Sequence, residues 1–180
     1  MSLRAWNGAV LVAALGVWFA TGAQKAQPVF ADGAQSDAVR ALETEVAQHP
    51  RDEAQVRKLA QAYMDHHASG LAVGVIESAP PEVRGLPRVD HLYARALVDQ
   101  GRNQEALVAE RRALGSCADF GSDAAMARGC DMALMTSATR RADILQELVN
   151  LGVEDSQAQP DEAAVAYYVA TREVRVATTK

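Results

Sequence analysis

Aromatic side chains are scarce in this 180-residue chain: Phe, Trp and Tyr together make up 5% of it. Half-buried strands draw on aromatic and β-branched residues, so a sandwich or barrel is disfavoured from the outset. Cysteine is scarcer still. Two thiols are too few for a disulfide-built miniprotein or a Cys-rich zinc site. Positive charge is also in deficit: the formal charge is −5 and the pI near 5.4, so phosphate meets no global attraction and nucleic acid is not an expected partner. No Walker loop, Rossmann glycine fingerprint, H-E-x-x-H or G-x-S-x-G occurs. With those signatures missing, no cofactor or metal is expected, and the chain is not expected to be an enzyme. What the sequence has in quantity is alanine, 36 residues or a fifth of the chain, which suits helices packed close together. Charged residues at 23% and a mean hydropathy of −0.11 exclude wholesale disorder and a polytopic membrane protein.

One long apolar run exists, at the N-terminus. Arg4 precedes a stretch from Ala9 to Ala20 that is apolar and interrupted only by Gly16, and no acid occurs before Asp32. A positive start, an apolar core and small residues after it are the parts of a secretory signal peptide. Residues 1–31 are therefore expected to be a signal peptide or an N-terminal anchor, with candidate cleavage points after Ala23 and after Ala31. Gly8 to Ala23 is 16 residues, just short of the roughly 17–25 that span a bilayer. The expected location is periplasmic or secreted, or else anchored to the inner membrane through residues 8–23; a buried first core helix is the plain alternative. Residues 32–180 then hold 16 basic against 23 acidic residues, a net of −7. In an oxidising compartment Cys117 and Cys130 become candidates for a disulfide, which would stabilise the fold by roughly 3 kcal/mol through loop closure. Buried free thiols are the alternative.

From Ser36 onward apolar residues recur at helical spacing, as in Val39, Leu42 and Val46, or Val56, Leu59, Ala60 and Tyr63. Breaks at His49–Asp52, His67–Gly70, Ala79–Pro87, Gln100–Arg102, Gly115–Gly121 and Asp155–Pro160 divide the chain. The spacing predicts an all-α domain with helices over 36–48, 52–67, 70–79, 88–100, 103–114, 122–137, 139–151 and 160–176, in antiparallel hairpins. In the last of these, Pro160 and the acids after it suit a helix start, and Ala163, Tyr167, Ala170 and Val174 form the packing face.

Sliding the sequence on itself so that Ala60 falls on Ala94 also sets Tyr63 on Leu97, Ala72 on Ala106 and Ala79 on Ala113 without a gap. With Pro50, Ile76 and the turn residue Gly101 also in phase, the segment 48–114 resembles the tetratricopeptide repeat, whose length equals that offset. His67 departs from the pattern, standing where a turn glycine is due. The resemblance implies a right-handed solenoid of helical hairpins over 32–180, with repeats at 48–81 and 82–115, a weaker third unit at 122–155 and a capping helix at 160–176.

In that family the inner face of each first helix lines a concave groove that binds an extended peptide or another protein's helix. The corresponding positions are Arg57, Gln61 and Met64 in the first unit and Arg88, His91, Arg95 and Val98 in the second. Guanidiniums gathered on an acidic protein suit an acidic segment or a carboxylate. The alternative is that they pair with Glu53, Asp90, Asp99 or Glu105 on their own helices and bind nothing. The expected function is a protein-interaction or scaffold module at the cell envelope, with any membrane contact through the N-terminal segment alone. A second possibility is a small helical enzyme or ligand binder with a site around His66, His91 and the Cys117–Cys130 segment. Asp65 and Glu53 near His66 and His67 read better as a solvated helix end than as an acid–base site. Arg111-Arg112 and Arg140-Arg141 read as solvated faces.

Overall fold

A computed structural model describes residues 33–177, with side chains described for 36–172; the expected signal or anchor over 1–31 lies outside them. The described residues form nine helices and no strand: α1 (Gly33–Gln48), α2 (Glu53–Asp65), α3 (Ser69–Ser78), α4 (Pro81–Arg84), α5 (Pro87–Val98), α6 (Asn103–Ser116), α7 (Asp123–Ala127), α8 (Met132–Asn150) and α9 (Pro160–Ala177). None of them is long and apolar enough to cross a membrane.

The starts and stops follow from local chemistry. Asp52 caps α2 by accepting hydrogen bonds from the amides of Ala54 and Gln55 at 2.8 and 3.2 Å. Pro87 occupies the first turn of α5, where its missing N–H costs nothing. His67 has φ of 56° and ends α2: the Ala68 amide returns to the Tyr63 carbonyl at 2.8 Å and the His67 amide to Met64 at 2.9 Å. Gly101 ends α5 with the same pair of bonds, from Arg102 to Leu97 and from Gly101 to Val98. His67 thus takes the left-handed position that glycine takes in the second case.

Packing runs in chain order. α1 lies on α2, α2 on α3, α3 on α5, α5 on α6, α6 on α8 and α8 on α9, while α2 touches α5 and α5 touches α8. The contacts are made over small residues: Ala60, Ala72, Ala94 and Ala106 are all fully buried, beside Val56, Ile76, Leu97, Leu145 and Leu148.

Three expectations are corrected. The break expected near 138 does not exist, and α8 runs unbroken for 19 residues across it. The real boundary comes earlier: Gly129 at φ 85° ends α7, and Asp131 caps α8 by accepting from the Leu134 amide at 2.7 Å. The third unit expected over 122–155 is therefore not two helices meeting near 138. It consists of the short α7 followed by α8, and α8 takes α9 as its neighbour. Finally, α9 buries Ala163, Ala166 and Ala170, whereas Tyr167 is 47% exposed.

Cys117 and Cys130 are at bonding distance, 1.95 Å between sulfurs, and both are fully buried. They form a small core of their own with Ala125 and Leu134. Arg128 folds back over the enclosed loop, donating to the Ser116 carbonyl at 3.2 Å and pairing with Asp119.

Candidate functional site

Helical spacing places Arg57, Gln61 and Met64 on one side of α2, and Arg88, His91, Arg95 and Val98 on one side of α5. Because α2 packs on α5 and α5 on α8, those sides meet over two adjoining open cavities. The smaller, about 560 Å³, is lined by Arg57, Lys58, Gln61, Arg88, His91 and Arg95 among others. The larger, about 950 Å³, is lined by Met64, Arg95 and Val98 together with α8 and Tyr167. Arg95 belongs to both.

The side chains are engaged to different degrees. Arg57 pairs with Glu53 one turn away at 3.3 Å, the helix-local pairing expected of a solvated face. Arg95 donates to the Gln61 amide oxygen at 3.2 Å, and Gln61 in turn donates to Asp65 at 2.7 Å. Arg88 crosses to the segment after the disulfide, with Nε 3.0 Å from the Gly129 carbonyl and Nη2 2.5 Å from Asp131. Gly129 has φ of 85°, which favours glycine, and a β-carbon there would sit 3.0 Å from Arg88 Nε, so that side chain would have to give way. The Asp131 carboxyl is held below its ordinary range, chiefly by the Leu134 amide and further by Arg88.

His91 is the centre of a buried polar group that the sequence did not reveal. Its Nδ1 lies 2.9 Å from both carboxylate oxygens of Glu110, which is 0% exposed, and its Nε2 lies 3.3 Å from Ser137 Oγ. Arg141 approaches Glu110 at 3.5 Å from the other side. Burial pushes the Glu110 carboxyl up, with His91 and Arg141 pulling against it, and burial pulls the Arg141 guanidinium down. The neighbouring Asp90 is likewise buried and raised, although Arg112 Nη2 reaches it at 2.6 Å. Arg112 is therefore not a free outward charge, and Arg111 is engaged with Gln146.

Of His66, His91 and the disulfide segment, only His91 lines either cavity. Glu53 and Asp65 are taken by Arg57 and Gln61. Among the described residues no group of three or more His, Cys, Asp or Glu could hold a metal ion.

Arg140, Arg141, Ile144, Leu148 and Tyr167 line the larger cavity and were not among the expected groove residues. The signal existed in the sequence. Ala133, Ser137, Arg140, Ile144 and Leu148 recur at three- and four-residue steps, but an assumed break at 138 cuts that stripe in two. Lys58, in the smaller cavity, adjoins the expected Arg57. Compared with known proteins, the chain matches no family model, no curated protein and no solved structure.

Proposed function

We propose that the chain is an exported, tetratricopeptide-like interaction module that binds an acidic polypeptide segment along α2, α5 and α8. The observation that carries this reading is a local inversion of charge. Arg57, Lys58, Arg88, Arg95, Arg140 and Arg141 line the two cavities against Asp65 and Asp99, on a chain whose formal charge is −5; Arg57, Arg88 and Arg141 are paired with Glu53, Asp131 and Glu110, so the excess rests on Lys58, Arg95 and Arg140. Such a surface steers and holds carboxylates while the rest of the acidic protein repels them. A right-handed solenoid of hairpins is the arrangement we favour. It is supported by the left-handed caps at His67 and Gly101, and by the buried pairs Ala60/Ala94 and Ala72/Ala106 at the same interval. On this reading the chain acts in the periplasm or outside the cell, or from an inner-membrane anchor at residues 8–23, and touches membrane only through that segment.

Affinity capture from an envelope fraction with the full chain, run beside an Arg95→Glu/Arg140→Glu form, tests the proposal. A protein retained by the wild type and lost from the variant supports it, and identical capture by both contradicts it.

One observation favours a hydrolytic second reading. Ser137, His91 and Glu110 stand in the order nucleophile, base and orienting acid at the edge of the larger cavity. Against it, the Ser137 hydroxyl donates to the Leu134 carbonyl at 3.0 Å and lies within α8, where backbone amides are spent on the helix rather than on an oxyanion. Labelling of Ser137 by a fluorophosphonate, abolished in His91→Ala, would favour this reading; an unlabelled Ser137 removes it.

A further inference from the structure

The larger cavity holds a combination that binding of an acidic segment alone does not require. Met64, Val98, Ile144 and Leu148 give it apolar walls, and Tyr167 adds an aromatic edge. Met132, also lining it, is 66% exposed, an apolar side chain left in water at the start of α8. Around these stand Arg95, Arg140 and Arg141, with Asp99 as the single lining acid, and Asp99 already accepts the Ser69 hydroxyl at 2.9 Å. Among the described residues, none makes a hydrogen bond or ion pair with the side chain of the exposed Arg140.

Neither a purely acidic nor a purely apolar occupant satisfies this lining. Carboxylates alone would leave Met132 and Tyr167 wet and draw nothing from the apolar walls. An apolar segment alone would cover Arg95 and Arg140 without supplying a counter-charge, which is costly. At about 950 Å³ the open cavity is several times larger than one side chain, which leaves room for the residues on either side of it in a partner segment. It shares Arg95 with the second cavity, where Lys58 adds positive charge beside Arg57 and Arg88, which are themselves paired with Glu53 and Asp131. A small amphipathic anion carries its charge at one end and has nothing to offer the second cavity, whereas a polypeptide can place carboxylates in it.

We infer that the larger cavity seats one bulky apolar side chain of a partner polypeptide whose neighbouring residues are acidic and are gripped by Arg95 and Arg140. The inference rests on the peptide-binding reading and specifies the sequence that reading leaves open.

Selection of displayed random dodecapeptides on the full chain tests it. Enriched sequences should place Phe, Trp, Leu, Ile or Tyr within two residues of Asp or Glu. As a free peptide, the best of them should bind about tenfold more weakly when its apolar residue is replaced by Ala, and about tenfold more weakly to Arg140→Glu. Tyr167→Ala should weaken it by several-fold, with helicity unchanged because Arg140 and Tyr167 are both exposed. Two results overturn the inference while leaving the broader reading intact or replacing it. Acidic peptides with no apolar requirement, weakened by Arg57→Glu and not by Arg140→Glu, would place acidic-segment binding in the other cavity. Failure to enrich any peptide, with saturable binding of a fluorescent fatty acid that Arg140→Glu abolishes, would make the site one for a small amphipathic anion. Failure of both probes would remove the inference and the peptide-binding reading together.

Discussion

Residues 53–116 and 117–172 are built from the same parts, helices with alanine contacts and left-handed caps, yet they are held by different means. In the first stretch the turns close locally and repeat: the caps at His67 and Gly101 and the buried pairs Ala60/Ala94 and Ala72/Ala106 all recur at one interval. In the second the interval is lost, and the links become long-range. The Cys117–Cys130 bond closes the loop around α7, Arg88 reaches 41 and 43 residues ahead to Gly129 and Asp131, and Asn103 donates to the Val153 carbonyl 50 residues away at 3.0 Å. Where caps and alanine contacts recur, the turns close through short local hydrogen bonds. Where they do not, a covalent bond and charge-assisted hydrogen bonds supply the register instead.

The most deeply buried joint between the two regions is the Glu110 group, since His91 and Glu110 come from one side and Ser137 and Arg141 from the other. Breaking it should have the largest effect. Glu110→Ala leaves His91 and Arg141 without their carboxylate and should cost about 3–5 kcal/mol in urea denaturation. Burial raises the carboxyl above its ordinary 4.5, so between that value and the raised one the native state binds more proton than the unfolded chain. Its contribution therefore favours folding at low pH and is lost as pH rises from about 4.5 through the raised value. Glu110→Gln should remove that component from the pH dependence of stability; an unchanged slope would show that the carboxylate is not the titrating group.

Next in size is the covalent link. Replacing both cysteines with serine should destabilise by about 3 kcal/mol. The loss should be concentrated in the second region, so amide exchange should quicken first around α7 and the start of α8. Equal quickening in α2 and α3 would mean that the two regions are not held separately. Within the first region, Ala72→Leu and Ala106→Leu should each cost about 1–3 kcal/mol, because added methylenes overpack a closed contact. Similar losses at the two sites would strengthen their equivalence, and unchanged melting at both would dissolve it. The smallest effect is at the caps. His67→Gly should gain about 1 kcal/mol by relieving a left-handed residue that carries a β-carbon. Gly101→Ala should lose more than that, since its β-carbon would lie 2.9 Å from Asp155 Cβ.

The contrast between the regions also explains what the sequence disclosed. Helices before Ser116 were legible because apolar periodicity, Asp52, Pro87 and Gly101 act within a few residues of where they stand. The positions expected to face a partner on α2 and α5 followed from the tetratricopeptide resemblance, and those on each helix share a side because residues three and four apart do. Past Leu114 the signals misled. Gly129 and Asp131 set the boundary of α8, but Asp131 also serves as Arg88's partner, and nothing local in sequence announces a pairing 43 residues long. Nothing local in sequence marks Glu110, because its total burial depends on α5 and α8 closing over it. Arg88, expected to be open for a partner, is half committed to the disulfide loop, and this is visible only once the two regions meet.

The central claim is that carboxylates are held by the guanidiniums lining the two cavities, and the affinity of a captured partner, measured against salt in three forms of the full chain, tests it most directly. Arg95→Glu/Arg140→Glu avoids the structural ties of Arg88 and Arg112, and Arg51→Glu, at a side chain 82% exposed and paired with Glu82 away from both cavities, is the control. The double variant should weaken binding by at least about tenfold at low salt and the control by less than about twofold. Wild-type affinity should fall steadily as salt rises toward about 0.5 M, where the Debye length shrinks to about 4 Å. Equal weakening by the control, or an affinity indifferent to both salt and the double variant, would contradict the claim.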